Sequence, residues 1–170
     1  MAKIFCVANQ KGGVGKTTTT VNLAAGLAKI GQRVLMIDLD PQGNATMGSN
    51  LDKRALPHTV YDVLWGETSL AEARQTAESC GYDVLGANRE LAGAEVELVS
   101  LENRERRLKD AIASVDADYD FVLIDCPPSL NMLTLNGLCA ADGIIVPMQC
   151  EYFALEGLSD LVNTIKQVHA

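Results

Sequence analysis

A glycine-rich segment near the start of the chain restricts the possible folds more than any other feature. Residues 9–18 read NQKGGVGKTT; a short apolar run at Lys3–Ala8 precedes them and a helical pattern over Lys16–Ile30 begins within them. A strand, a glycine-rich turn and a helix in this order form a phosphate-binding loop, because glycines let several backbone N–H groups point inwards at a helix N-terminus. The segment therefore predicts an α/β protein with a phosphate-binding loop.

The rest of the chain alternates between strand and helix patterns. Apolar runs predict strands at Lys3–Ala8, Arg33–Ile37, Tyr82–Leu85, Tyr119–Ile124 and Gly143–Met148. Helical spacing predicts helices at Lys16–Ile30, Thr59–Trp65, Ser69–Glu78, Leu98–Val115 and Ser129–Ala141, with Ser129 as a possible N-cap and a last helix from Phe153 onwards. Residues 38–50 are predicted to form a polar loop. This alternation predicts a mainly parallel β-sheet with helices on both faces, in a single P-loop domain spanning residues 1–170.

Composition and charge exclude several classes of protein. Apolar residues make up 48% of the 170 residues and charged residues 21%, which is typical of a folded globular chain. The net charge of −8 makes the chain as a whole a poor binder of nucleic acid. Arginines cluster only at Arg104, Arg106 and Arg107, which we interpret as a solvated helix face. No apolar run reaches the roughly 18 residues of a membrane span, and the first residues do not resemble a signal peptide, so we expect a cytoplasmic protein.

The five cysteines do not form a recognisable metal or redox motif. None is part of a C-x-x-C pair, and no histidine stands at metal-ligand spacing from one. We expect reduced thiols that are mostly buried, and neither a zinc site nor an iron–sulfur cluster within one chain.

The end of the glycine-rich segment carries the side chains that phosphate chemistry needs. Lys16 can reach the β- and γ-phosphates of a nucleotide, and the Thr17 hydroxyl can bind Mg²⁺. The common pattern GxxxxGK[ST] requires glycine at position 10, where this chain has Gln10. A second lysine, Lys11, stands at the start of the loop instead.

Two further segments place carboxylates at the ends of predicted strands. Residues 38–44 read DLDPQGN, and Asp40 could orient an attacking water or hold a metal-bound one, although the same letters also fit an ordinary Asp-Pro turn. Residues 121–128 read FVLIDCPP, an apolar strand that ends in a carboxylate. Asp125 would hold Mg²⁺ through water, and Cys126 is expected to be a packed thiol.

Together these segments resemble the deviant Walker A ATPases of the ParA/MinD superfamily. The resemblance rests on KGGVGKTT at 11–18, DLDPQGN at 38–44, DCPPS at 125–129 and VPMQCEYFALEGL at 146–158, and it extends over essentially the whole chain. The last segment is similar to ParA proteins of the Soj type rather than to MinD.

The resemblance implies the fold of a P-loop nucleoside triphosphatase (NTPase), and an ATP hydrolase that uses ATP/ADP and Mg²⁺. It implies catalytic roles for Lys11, Lys16 and Asp40, with Lys11 reaching the nucleotide of the other subunit in an ATP-dependent homodimer. It implies metal contacts from Thr17, Asp125 and Asp40. Glu151 either contacts nucleotide or partner, or only belongs to a loop and helix start. The implied nucleotide-binding set is Lys11, Gly12, Gly13, Val14, Gly15, Lys16, Thr17, Thr18 and Glu151.

The same resemblance implies a function in DNA segregation. Such proteins bind DNA nonspecifically as dimers on the nucleoid, without a membrane, and a ParB-type partner stimulates their hydrolysis. Family members are longer, so we expect this chain to lack their C-terminal third, with weaker nucleotide and DNA binding. The alternatives are a MinD-like membrane-cycling ATPase, a fragment that binds without hydrolysis, and an iron–sulfur reductase of related fold. The MinD-like alternative requires a basic terminal helix, where this chain offers only Lys166.

Overall fold

The computed structural model describes residues 1–8, 15–147 and 162–167. Its framework is a six-stranded β-sheet with helices packed on both faces. The strands are β1 (Lys3–Val7), β2 (Val34–Asp38), β3 (Gln75–Ala77), β4 (Tyr82–Leu85), β5 (Phe121–Asp125) and β6 (Gly143–Ile145). The helices are α1 (Lys16–Lys29), α2 (Asn44–Gly48), α3 (Val60–Trp65), α4 (Leu70–Ala73), α5 (Leu91–Glu97), α6 (Arg107–Ala113) and α7 (Met132–Ala140).

The strand order in the sheet is β3-β4-β2-β5-β1-β6, and all neighbours except β3 and β4 run parallel. The prediction of a mainly parallel sheet is confirmed. Since parallel strands end at one edge, β1, β2 and β5 all deliver their last residues to the same side of the sheet.

Two apolar cores cover the two faces of the sheet. One lies under α1 and contains Ala24, Met36, Val84 and Leu123. The other lies under α3, α5, α6 and α7 and contains more of the buried apolar residues. Both faces of β2 are therefore buried, which explains why all five of its residues are inaccessible to solvent.

The predicted helix at Ser69–Glu78 is wrong in its second half. The structure has one short helix, α4, and then the antiparallel edge strand β3. Arg74 leaves the helix in an extended conformation, and its guanidinium donates to Asp118 Oδ2 at 2.9 Å and to Tyr119 Oη at 3.0 Å. These contacts come from a distant part of the chain, so helical spacing could not reveal them.

The predicted long helix at Leu98–Val115 is also wrong. The chain forms a 3₁₀ turn at Leu98–Ser100, a second at Arg104–Arg106 and only then α6, and Asn103 adopts a left-handed backbone conformation with φ 53°. The buried side chain of Asn136 replaces the helical hydrogen bonds: it accepts from the Leu108 N–H and donates to the Arg104 carbonyl. The arginine cluster therefore lies on a turn and at the start of α6, not on a long helix face.

Three smaller differences concern the surroundings of the candidate site. The predicted loop at 38–50 contains α2, the unpredicted helix α5 follows β4, and α7 begins later than expected. Its N-cap is Asn131 instead of Ser129, because the Asn131 side chain accepts from the N–H groups of Leu133 and Thr134.

The end of the chain is described only in part. Residues 162–167 are helical, in agreement with the predicted last helix, whose other residues lie outside the described part. In the part of the chain that the structure describes, no helix has the length and apolar character needed to cross a membrane.

Candidate functional site

A cavity of about 570 Å³ opens at the edge of the sheet where the parallel strands end. Four segments form its walls: the start of α1, the segment after β2, helix α5 and the segment after β5. Ligands of open α/β sheets bind at this edge, because the loops that follow the strands converge there. The lining residues are Gly15, Lys16, Thr17, Thr18, Asp40, Pro41, Gln42, Asn44, Ala92, Glu95, Pro127, Pro128 and Ser129.

The first turn of α1 forms one wall of the cavity. Gly15 is its N-cap and has φ 79°, a left-handed conformation that glycine adopts without strain. Lys16, Thr17 and Thr18 follow, and the turn contains no acidic residue. The first N–H groups of a helix have no partner within the helix, and together with the helix dipole they favour an anion at this wall. The predicted contacts Lys11, Gly12, Gly13 and Val14 lie outside the described residues.

Asp125, at the end of β5, collects the polar side chains of α1. Its Oδ1 lies 2.9 Å from Lys16 Nζ, and its Oδ2 accepts from Thr17 Oγ1 at 3.0 Å. Thr20 Oγ1 lies 3.1 Å from Oδ1 and 3.0 Å from the Lys16 carbonyl oxygen, so its single proton can go to either. The carboxylate is completely buried. Burial raises the pKa of Asp125, and the Lys16 ammonium opposes that shift.

Asp38, at the end of β2, is a second buried carboxylate and holds the segment that follows it. It accepts from the Asp40 N–H at 3.0 Å, from the Thr46 N–H at 2.9 Å and from Thr46 Oγ1 at 2.8 Å. Burial, and then the charge of Asp125, raise the pKa of Asp38 to about 7. The three hydrogen bonds fix the turn that carries Asp40 and join it to α2.

Asp40 lies in the cavity wall, and its predicted roles with water and metal stay predictions. Its Oδ1 accepts from the Gln42 N–H at 3.0 Å, and only 7% of the residue is exposed. It therefore shares the cavity with Lys16, Thr17 and Thr18. Asp125 lies behind that wall and is reached through Lys16 and Thr17, while Glu151 lies outside the described residues.

The oxygen atoms of Thr17 and Asp125 are suitable ligands for Mg²⁺. This ion prefers hard oxygen donors and keeps several waters, so it needs only one or two protein ligands beside the phosphates. In residues 1–8, 15–147 and 162–167, no three His, Cys, Asp or Glu side chains converge as they would in an all-protein metal cage. The donors present therefore fit magnesium held together with phosphate.

The sequence did not single out several residues that shape the site. Thr20 follows Lys16 by one helical turn, a spacing that could have indicated it. Asp38 belongs to the DLDPQGN segment, but the sequence indicates no separate role for it. Glu95 and Asn131 come from elements whose contact with the cavity depends on tertiary structure, and no local signal marks them.

Cys126 is packed against other core atoms, as expected. It is fully buried, and its Sγ lies 2.9 Å from that of Cys6, which is also fully buried. The hydrogen bond with the Cys6 thiol, and then burial, raise the pKa of the Cys126 thiol. Both sulfurs face Gly137 of α7, where an added Cβ would lie 2.8 Å from Cys126 Sγ.

Comparisons with known proteins identify similar proteins along nearly the whole chain. A family model described as an AAA domain matches residues 2–170. The sporulation initiation inhibitor protein Soj of Bacillus subtilis is 52% identical over 168 residues, which are 99% of this chain and 66% of Soj. The chromosome partitioning protein ParA of Myxococcus xanthus is 50% identical over 168 residues, which are 99% of this chain and 59% of that protein.

One solved structure is similar to this chain in both fold and sequence. It is that of cobyrinic acid a,c-diamide synthase from Mycobacterium smegmatis with bound ADP and magnesium. The TM-score is 0.94 at 48% identity, over 99% of this chain and 68% of the other. The chain thus spans less than two thirds of the two curated relatives and about two thirds of this solved protein.

Proposed function

The chain belongs to the AAA domain family, in which it is a ParA/Soj-type member, and we propose that it is the ATP-binding and ATP-hydrolysing part of a partitioning protein. Its ligands are then ATP or ADP together with Mg²⁺. The names of the relatives support the class of function, and the ADP and magnesium in the Mycobacterium smegmatis structure support the ligands.

The observation that carries the proposal is the meeting of Lys16 and Thr17 on Asp125 at the inner end of the cavity. Lys16 Nζ lies 2.9 Å from Asp125 Oδ1, and Thr17 Oγ1 lies 3.0 Å from Asp125 Oδ2. A polyphosphate at the start of α1 would attract Lys16 away from Asp125. Asp125 and Thr17 would then be free to hold the metal ion, which neutralises charge on the phosphates when bound.

Hydrolysis in this site requires a water aligned with the terminal phosphate. The water oxygen attacks the γ-phosphorus, the bond between that phosphorus and the β,γ-bridging oxygen breaks, and ADP, phosphate and a proton leave. We assign the water to Asp40, whose carboxylate has one oxygen accepting from the Gln42 N–H in the cavity wall. Lys16 binds the phosphates in this assignment.

The remaining roles follow from the family resemblance. Lys11 would contact the nucleotide of a second subunit, so that two chains close around two nucleotides as a homodimer. Residues 12–15, with Thr18, would cradle the phosphates through their backbone N–H groups. Glu151 would contact nucleotide or partner.

The partners and the location are proposed for the whole protein. This chain contains the candidate nucleotide site. We propose nonspecific DNA binding by the dimer and stimulation of hydrolysis by a ParB-type protein. A cytoplasmic protein associated with the nucleoid would meet both partners. The chain's net charge of −8 requires that any DNA contact be local.

One solved relative bears a name that indicates a different use of ATP, namely amide synthesis. Both functions need the same Mg-nucleotide site, so the cavity does not separate them. ATP turnover that depends on cobyrinic acid and an amine donor would favour the synthase. Turnover that increases with DNA and a ParB-type protein would favour partitioning.

The test is titration of the chain with ATP, and separately with GTP, in the presence of Mg²⁺, with heat of binding and particle mass recorded together. We expect ATP-selective binding that is lost in Lys16→Ala. Lys29→Ala, at the opposite and exposed end of α1, is the matched control and should bind as the unchanged chain does. A folded chain that binds neither nucleotide, or a Lys16→Ala variant that binds normally, would contradict the proposal. A doubling of mass with ATP would support the homodimer.

A further inference from the structure

Helix α5 contributes a carboxylate to the cavity that no sequence motif marks. Ala92 and Glu95 line the same cavity as the start of α1, and Glu95 is partly buried. Its Oε1 accepts a hydrogen bond of 2.9 Å from Asn131 Nδ2, across 36 residues of sequence. A bond from an amide to a carboxylate is stronger than one between two neutral groups.

Asn131 has its amide orientation fixed from both sides. Its Oδ1 accepts from the Leu133 N–H at 2.9 Å and from the Thr134 N–H at 3.2 Å, while its Nδ2 donates to Glu95 and lies 2.8 Å from Ser129 Oγ. The opposite orientation would place the NH₂ group against two N–H donors and the oxygen against a carboxylate. Glu95 therefore contributes to the N-cap of α7 although it belongs to another helix.

The loop between β5 and α7 depends on such side-chain contacts. It begins directly after Asp125, and its residues Pro127 and Pro128 have no N–H group with which to form backbone hydrogen bonds. Both prolines and Ser129 line the cavity. The loop is instead held at its far end, where Thr134 Oγ1 donates to the Ser129 carbonyl at 2.6 Å and Asn131 is bound by Glu95.

We propose that Glu95 is a positioning residue of the nucleotide site, which through Asn131 holds the Pro127–Asn131 loop against the cavity in the geometry that hydrolysis requires. The inference rests on the proposed function, because it treats the cavity as the Mg-ATP site. Glu95 acts through Asn131 and is not assigned a contact with the reacting atoms.

Three variants test this role. Glu95→Ala removes the acceptor, and Glu95→Gln keeps an amide oxygen that can still accept from Asn131. Asn131→Asp keeps the N-cap, since aspartate caps helices as well as asparagine does, but it places two carboxylates against each other. Glu97→Ala is the matched control on the same helix, because the Glu97 carboxylate accepts from Tyr61 Oη and not from the loop.

The first readout is amide hydrogen exchange at Leu133 and Thr134 in the nucleotide-free protein. We expect exchange about ten-fold faster in Glu95→Ala, with Glu95→Gln and Glu97→Ala close to the unchanged protein. Unchanged exchange in Glu95→Ala would overturn the proposal whatever the protein does with nucleotide. This readout therefore fails or succeeds separately from the proposed function.

The second readout is the division of the effect between kcat and KM for ATP. A misplaced loop lowers kcat by about ten-fold in Glu95→Ala and Asn131→Asp, with a smaller change in KM, and Glu95→Gln restores the rate. Full kcat in Asn131→Asp would overturn the proposal, since that variant keeps the cap and loses the link. A wild-type protein that does not bind Mg-ATP would overturn the proposed function. It would also overturn the positioning role of Glu95 in nucleotide hydrolysis, even if the exchange result shows the link between Glu95 and Asn131.

Discussion

Asp38 and Asp125 stand opposite each other at the ends of the adjacent parallel strands β2 and β5. Neither side chain is accessible to solvent. Each is surrounded by donors, with Thr46 and the Asp40 N–H around Asp38, and Lys16 and threonine hydroxyls around Asp125. Among the described residues, Asp125 has the Lys16 ammonium in contact and Asp38 has no ion pair, and burial followed by the charge of Asp125 raises the pKa of Asp38 to about 7. The sheet thus places two buried carboxylates side by side. Asp38 holds the turn that carries Asp40, and Asp125 contacts Lys16 and Thr17 of α1.

The raised pKa of Asp38 predicts a dependence of stability on pH. The folded chain holds a proton on Asp38 up to about pH 7, whereas the unfolded chain releases it near pH 4. The free energy of unfolding should therefore fall as the pH rises from about 4 to about 7 and level off above that range. In Asp38→Asn the fall should be smaller. Urea unfolding at pH 5 and pH 8, without metal or nucleotide, measures both proteins.

An equal loss of stability between pH 5 and pH 8 in the two proteins would contradict this assignment. Equal urea m-values serve as the control, since they show that both proteins expose the same surface on unfolding.

Lys16 should stabilise the nucleotide-free protein as well as bind phosphate. Lys16→Met leaves the buried Asp125 carboxylate without its cation beside Asp38, and we expect the free energy of unfolding to fall by about 3 kcal/mol. In Lys16→Met/Asp125→Asn the loss should be smaller than the sum of the two single losses. Urea unfolding of the four proteins gives the coupling energy.

The exposed pair Arg33–Asp120 supplies the comparison for Lys16. Its guanidinium and carboxylate are 3.2 Å apart, but their side chains are 61% and 36% exposed. Solvent screens such a pair, so Arg33→Met should cost much less than Lys16→Met. Similar losses at the two sites would show that burial does not set the strength of the Lys16–Asp125 pair.

The parts of the fold that sequence could predict are those that local physics determines. The strand at Tyr82–Leu85 has the bounds that its apolar run predicts, and the end of β5 at Asp125 follows from an apolar run closed by a carboxylate. The start of α1 follows from Gly15 and the residues after it. The last two of these segments carry Lys16, Thr17 and Asp125, whose assignment to phosphate and metal stays a prediction from the sequence.

The parts that sequence could not predict depend on side chains from distant segments. The break before α6 is stabilised by Asn136 of α7, and the edge strand β3 pairs with β4, where Thr76 Oγ1 also donates to Asp83 Oδ1. Glu95 reaches the site only because α5 packs near α7. The spacing of residues along the chain does not predict such contacts.

Thr20 should contribute to stability through its hydroxyl rather than its shape. It is fully buried, and its Oγ1 lies between Asp125 Oδ1 and the Lys16 carbonyl oxygen. Thr20→Val keeps the branched shape and removes the hydroxyl, so we expect a loss of about 1 kcal/mol in the free energy of unfolding. Thr20→Ser keeps the hydroxyl and should retain most of the stability. A loss in Thr20→Ser as large as in Thr20→Val would show that packing matters more than the hydrogen bond.

Gly137 should tolerate no side chain, in contrast to a glycine in α1. An added Cβ at Gly137 would lie 2.8 Å from Cys126 Sγ and 3.3 Å from Leu39 Cδ1, both in the buried core. We expect Gly137→Ala to lower the free energy of unfolding by about 2 kcal/mol, because the core must shift to admit the methyl group. Combining it with Cys126→Ala removes the nearest sulfur, so the double variant should be more stable than the sum of the single losses predicts.

Gly26 of α1 is the matched control for Gly137. No atom lies within 4 Å of a Cβ built there, and the residue is inside a regular helix. Gly26→Ala should therefore raise the free energy of unfolding by up to about 1 kcal/mol, which is the difference in helix propensity between the two residues. Urea unfolding of both variants decides the matter. If Gly137→Ala is as stable as Gly26→Ala, the close packing of α7 against the two cysteines beneath the candidate site is wrong.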